Sequence, residues 1–237
     1  MALSREGQAF GRFADMRTTA FRLPRLLARI EKARWSALLT APLEIGDRQP
    51  SKRLGARDVA ALLELGRHRG LRLRLDESPF WQELRKRITS QPNRADFRLL
   101  GRTAEVAAEA AGGRVFRFGA AHGDYTPWNR APQHTPRCDR LALWDWESYR
   151  EDAPPGYDAY HFLTQSWLLT GAPSPFADSL SLRFVEALLV DAGARASDWA
   201  LCYALYLLDR LSRPEPRAGT RLRNLLLTAR FAVAETI

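Results

Sequence analysis

The segment His122-Gly123-Asp124-Tyr125-Thr126-Pro127-Trp128-Asn129 puts a carboxylate and, five residues later, a side-chain amide in one loop. A second carboxylate, Asp145 of Asp145-Trp146-Glu147, follows the apolar run Leu141-Ala142-Leu143-Trp144. This is chemistry for holding Mg²⁺ and a nucleotide phosphate beside a substrate hydroxyl. Asp124 can orient a hydroxyl and accept its proton, help worth roughly 10²–10⁴-fold in rate. Asn129 and Asp145 offer hard oxygens suited to Mg²⁺. Phosphoryl transfer asks little more of side chains, because positioning and charge neutralisation do most of the catalysis. Singly, Asp and Asn are ordinary turn residues. The joint spacing, H-G-D-x-x-x-x-N followed by an apolar strand and D-W-E, favours the chemical reading.

Such a loop needs strands to hold it. Residues 114–118 (RVFRF) alternate and read as one strand, and 140–146 (RLALWDW) as a second, a short pair carrying the reactive residues between them. Helical spacing marks 3–17, 56–68, 79–89, 94–111, 157–170, 175–193, 197–212 and 218–235. Ser78-Pro79 makes a good helix entry, and Gly112-Gly113 a helix stop. Residues 22–30 and 34–40 read as strands around a turn at Glu31-Lys32-Ala33. Pro173, Pro175, Pro214 and Pro216 fall in breaks. The polar, Gly- and Pro-containing stretch 44–55 is the linker candidate. The expected architecture is α+β. A small part, residues 1–43, has one helix and two strands; a larger helical part spans 44–237.

Composition narrows the classes. With 237 residues, 46% of them hydrophobic, the chain can bury a sizeable core. A mean hydropathy of −0.34 and the lack of an 18-residue apolar run argue against a membrane span. The N-terminus shows no secretory pattern, so the expected location is the cytoplasm. Cys138 and Cys202 sit in no metal or CxxC pattern and read as free thiols. The net charge is +9, and all but three of the 36 basic residues are arginine. The arginines are dispersed and form no dense basic run, which argues against nucleic acid as a partner. A positive field that draws in an anionic nucleotide or substrate is the milder reading.

HGDYTPWN with LALWDWE resembles the catalytic loop and metal motif of the aminoglycoside phosphotransferase and choline kinase family, which shares the protein-kinase-like fold. The resemblance implies a mostly helical C-lobe with a short catalytic β-hairpin and a partial N-lobe. It implies ATP or GTP and Mg²⁺ as cofactors, Asp124 as the catalytic aspartate, and Asn129 and Asp145 as metal ligands. His122, within the catalytic loop, would brace it by hydrogen bonds. Asp158, in GYDAYHFL, matches an aspartate that braces the same loop. Upstream, RLPRLLARI and WSALLTAPLE resemble the last two N-lobe strands and the hinge. Backbone near Leu39, Thr40 and Leu43 would then meet the adenine edge, and Glu6 would stand for the helix C glutamate.

The chain departs from that pattern in one respect. The family's glycine-rich loop and phosphate-binding lysine precede helix C, and no residue before Glu6 can be that lysine. A start lying farther upstream, a pseudokinase-like binding module, and completion of the site by another chain all remain open. The expected activity is phosphoryl transfer from nucleotide to a small-molecule hydroxyl. Residues 157–237 are not conspicuously acidic, so a sugar, a glycan, or another neutral or anionic acceptor fits at least as well as an aminoglycoside. The sequence leaves the oligomeric state open.

Overall fold

The structure is a computed structural model. It describes residues 2–13, 16–32, 35–45, 51–91, 96–135, 138–171, 174–176, 179–213 and 219–234. In chain order its elements are α1 (Ala2–Phe13), β1 (Phe21–Arg22), β2 (Leu26–Glu31), β3 (Ser36–Thr40), α2 (Ala56–Arg67) and β4 (Leu71–Arg74). Next come α3 (Pro79–Thr89), α4 (Phe97–Ala111), β5 (Val115–Ala121), β6 (Arg130–Thr135), β7 (Cys138–Leu143) and a 3-10 turn (Trp146–Ser148). The rest is β8 (Arg150–Ala153), α5 (Tyr157–Thr170), α6 (Ser179–Asp191), α7 (Trp199–Ser212) and α8 (Gly219–Ala234). This is a mixed α+β chain, as composition and periodicity predict.

Local chemistry sets several boundaries. Ser78 caps α3, its hydroxyl accepting from Trp81 N at 3.2 Å, and Pro79 occupies the first turn, where its missing N–H costs nothing. Gly112, left-handed with φ 55°, ends α4. The first half of α5, Tyr157 to Thr164, is buried on all sides, and so is most of α7. Both are interior helices, and their aromatic residues Tyr160, Tyr203 and Tyr206 stack between them.

Three small sheets position the loops. β5 lies between β4 and β8, antiparallel to both. β6 and β7 form an antiparallel hairpin, and β1 adds to β7 in parallel. β2 and β3 form a separate antiparallel hairpin, closed by Lys32 N donating to Trp35 O at 2.9 Å. The expected pairing of 114–118 with 140–146 is therefore corrected: these strands belong to different sheets. The true partners of β5 are Leu71-Arg72-Leu73-Arg74 and Arg150-Glu151-Asp152-Ala153. The charge of β8 hides it from a hydropathy pattern, whereas β4 shows a strand's alternation over only four residues. Arg72 stands directly opposite Arg117, an unfavourable like-charge pair. Arg117 is compensated by an ion pair with Asp191.

The N-terminal elements pack onto the rest of the chain. Phe13 of α1 sets its ring edge-on to Trp146 and Tyr149, at centroid distances of 4.7 and 4.6 Å. Ala9, Phe13 and Phe21 join one apolar core with Phe116, Phe118, Tyr157 and Leu208. Part of the linker candidate (46–50), the turn residue Ala33, and Pro173, Pro214 and Pro216 lie outside the described residues. Cys202 is a free, buried thiol. Among the described residues no helix is long and apolar enough to cross a membrane.

Candidate active site

β5 runs through the core and delivers His122, Gly123 and Asp124 at its C-terminal end. Two features fix the backbone there. Gly123 has φ 80°, and a Cβ at this position would overlap the carbonyl oxygen of Ser148, so only glycine fits. Asp158, in the first turn of α5, accepts from His122 N at 2.7 Å and Gly123 N at 2.9 Å. Burial pushes the Asp158 carboxyl up to about 7, although those two N–H groups pull the other way. His122 is fully buried against the Trp146 indole, and its Nε2 lies 2.8 Å from the Trp144 carbonyl oxygen. Burial lowers its pKa to about 4, so at neutral pH it is an uncharged brace.

Asp124 leaves this braced segment half-exposed. Its Oδ1 lies 2.8 Å from Nε2 of His161 on α5. Its Oδ2 accepts from the Asn129 amide at 2.9 Å, and the same amide donates to the Asp124 carbonyl at 3.0 Å. Burial pulls the Asp124 pKa up. The His161 hydrogen bond, with charge effects from His161, His122 and Arg210, more than offsets this and leaves it below the ordinary value.

Asn129 ties the loop to the second motif. Its carbonyl oxygen accepts from Trp144 N at 3.2 Å, and its side chain also hydrogen-bonds Asp145. Asp145 follows β7 in the left-handed region, φ 65° and ψ 63°, a conformation uncommon outside glycine. Such strain persists only where the surroundings over-determine it, and it concentrates at functional positions. The 3-10 turn begins at the next residue, and Glu6 of α1 accepts from Trp146 N at 3.3 Å. Burial, together with the charges of Glu147, Asp124 and Glu6, raises the Asp145 pKa.

The expected residues thus come together in part. Glu6, His122, Asp124, Asn129, Asp145 and Asp158 converge. Leu39 and Thr40 lie in β3, with Leu39 59% exposed. Ala41 N donates to Arg25 O at 2.8 Å, so that amide is spent within the hairpin. Leu43 lines a cleft with Leu23, Gln133 and Arg140, between the two hairpins.

His161 lies outside both sequence motifs yet contacts Asp124. Its signal was there: it lies three residues after Asp158, on the same side of a helix. The support beneath Tyr125 was equally hidden. Tyr125 donates to Asp58 at 2.6 Å, and Arg130 pairs with Asp58 at 3.0 Å, all three buried. This brace joins α2 to the residue that follows Asn129.

Among the described residues no three His, Cys, Asp or Glu side chains gather as a metal cluster. A cluster of that kind is not what Mg²⁺ needs. It takes one or two carboxylates and completes its octahedron with waters and phosphate oxygens. Asp145 and the Asn129 oxygen, beside Asp124, fit that requirement. Burial and, after it, the neighbouring carboxylates raise the Asp145 pKa, and a divalent cation would offset both. In comparisons with protein-family models, curated proteins and solved structures, the chain has no match.

Proposed function

We propose that the chain is a phosphotransferase that moves a phosphoryl group from a nucleotide to an alcohol. More narrowly, it is an ATP- or GTP-dependent kinase of small hydroxylated molecules, of the kind that the HGDYTPWN and DWE motifs resemble. The carrying observation is the convergence of Asp124, Asn129 and Asp145, with Asp124 held at both oxygens and Asp145 in a left-handed backbone. Asn129 and Asp145 would hold Mg²⁺, which neutralises charge on the phosphates when bound.

The residues divide the remaining work. Asp124 orients the acceptor hydroxyl. As the hydroxyl oxygen bonds to the γ-phosphorus, the bond from that phosphorus to the β,γ-bridging oxygen breaks, and the proton passes to Asp124. His161 supports Asp124 from the side opposite Asn129. His122, Gly123 and Asp158 fix the backbone from which Asp124 projects. Glu6 and the buried Trp146 hold the turn that presents Asp145.

A second reading, a non-catalytic module, draws support from Glu6. Among the described residues its carboxylate has no cationic partner and bonds a backbone N–H instead. One experiment separates the two: Mg²⁺-dependent ATP binding and slow ATP hydrolysis by the chain, by Asp145→Ala and by a form extended upstream. Phosphotransfer requires binding that Mg²⁺ strengthens and Asp145→Ala abolishes. If neither the chain nor the extended form binds Mg·ATP, the non-catalytic reading takes its place.

A further inference from the structure

From Asp124 the helix α5 continues past His161. Ser166 is five residues farther, about 7.5 Å along the axis at 1.5 Å per residue. Leu163, Ser166, Trp167 and Thr170 follow the i, i+3, i+4, i+7 spacing of one helix stripe. That stripe walls a cleft bordered by Lys52 and Arg53 on one side and by Ser174 and Ser179 on another. No carboxylate is among the described residues that line it.

Two observations mark this cleft as built for a ligand. The first is Ser166, only 8% exposed, whose Oγ has no hydrogen-bond partner among the described residues. A buried hydroxyl left unpaired is unfavourable, so an oxygen-bearing ligand that reaches it is favoured. The second is the pair Lys52 and Arg53. Both are exposed, and among the described residues neither makes an ion pair, as is also true of Arg22, Arg72 and Arg85; what sets the two apart is that they border the cleft that Ser166 lines. Their loop is clipped to the residue after Asn129: Arg130 Nη2 donates to Ser51 O at 3.0 Å and to Arg53 O at 3.1 Å. The two free cations therefore stand at a fixed place beside the catalytic loop.

We infer that this cleft is the acceptor subsite and that it takes an anionic polyol, a hydroxylated carbon skeleton carrying a phosphate or carboxylate. The inference rests on the phosphotransfer reading above. Lys52 and Arg53 meet the anion, the hydroxyls of Ser166, Thr170 and Ser179 meet ligand hydroxyls, and the Trp167 indole offers an apolar face to a sugar ring. A polycationic aminoglycoside finds no carboxylate here.

Calorimetric titration of the full chain, without nucleotide, tests this. The probes are glucose 6-phosphate, glucuronate, glucose, inorganic phosphate and kanamycin. The expected result is that at least one of the two anionic sugars binds ten-fold or more tighter than glucose, inorganic phosphate and kanamycin. The double variant Lys52→Glu/Arg53→Glu should lose at least ten-fold of that affinity, and Ser166→Val several-fold. Kanamycin or glucose binding as tightly as the anionic sugars overturns the inference, and so does a double variant that binds them unchanged. Mg·ATP binding in the same samples keeps the two ideas apart. Anionic sugar bound without any nucleotide site sinks phosphotransfer alone. Nucleotide bound with neither anionic sugar sinks the acceptor subsite alone.

Discussion

The Oδ1 atom of Asp124 lies 2.8 Å from Nε2 of His161, and the other ring nitrogen of His161 lies 3.0 Å from the Tyr206 hydroxyl. Burial lowers the His161 pKa to about 4, so at neutral pH the ring is uncharged and Nε2–H donates to the carboxylate. Tyr206 then donates to Nδ1, which fixes the tautomer. A hydrogen bond to a charged group is worth roughly 1.5–3 kcal/mol, or about one to two pKa units. His161→Phe keeps a ring in the site and removes the donor, so the Asp124 pKa should rise. Activity that needs ionised Asp124 then fails at a higher pH. The acid limb of kcat/KM should move up by about one unit or more. An unmoved limb would show that His161 only fills space.

Gly123 and Gly113 both have positive φ, 80° and 73°, but differ in what surrounds them. A Cβ on Gly113 meets nothing within 4 Å, whereas one on Gly123 overlaps the Ser148 carbonyl. Gly113→Ala should therefore cost only the conformational strain, about 1–2 kcal/mol. Gly123→Ala adds a clash with backbone and should cost about 3 kcal/mol or more, or else push the loop aside and weaken Mg·ATP binding. Denaturant midpoints of the two variants make the comparison. Equal losses would mean that Ser148 yields easily and the loop is not pinned by it.

Much of this site was legible because its residues are close in sequence. Asp124 and Asn129 lie in one loop, and Asp145 follows a strand whose apolar run is plain. The helices at 79–89 and 157–170 match their predicted limits, the first because Ser78-Pro79 is a strong local signal and the second because its apolar content is high. What stayed hidden depends on distant contacts. β8 carries charge at three of its four positions, so only its pairing with β5 makes it a strand, while β4 alternates Leu and Arg over a run of only four residues. Nothing local to Asp58 shows that Arg130, 72 residues later, reaches it. His161 lies 37 residues from Asp124, and the contact exists only because Asp158 anchors α5 beneath the loop.

Arg130 and Asp58 form a buried pair at 3.0 Å, with Tyr125 donating to the same carboxylate and Gly55 N donating to its other oxygen at 2.8 Å. Burial already raises the Asp58 pKa despite Arg130 and those hydrogen bonds. Arg130→Met would strand the carboxylate and release the 51–53 loop. The expected loss is about 3–5 kcal/mol of stability. Adding Asp58→Asn should recover a good part of it, because the buried charge goes with it. Chemical denaturation of the single and double variants reads this directly. A single variant within about 0.5 kcal/mol of the parent would contradict the pairing.

Three buried groups set how stability changes in mild acid, and they do not all act the same way. His122 and His161 have folded pKa values near 4, below the ordinary 6.5. As pH falls from 6.5 toward 4 the unfolded chain takes up both protons and the folded chain does not, so stability falls. Asp158 is shifted the other way, to about 7 from 3.8. In the same window the folded chain holds a proton there that the unfolded chain has released. Near pH 5.5 the unfolded state thus binds about two protons against one in the folded state, a difference of about one. Stability should then rise with pH at about 1.4 kcal/mol per unit in that window. By about pH 7 the two histidines of the unfolded chain and Asp158 of the folded chain each account for about half a proton, so the two effects cancel and the curve levels off. Asp158→Asn removes the opposing term, so its slope near pH 5.5 should approach twice that of the parent, whatever its absolute stability. Denaturant titrations at a series of pH values give both slopes. Equal slopes would mean that Asp158 is ionised throughout and that its two N–H donors outweigh its burial.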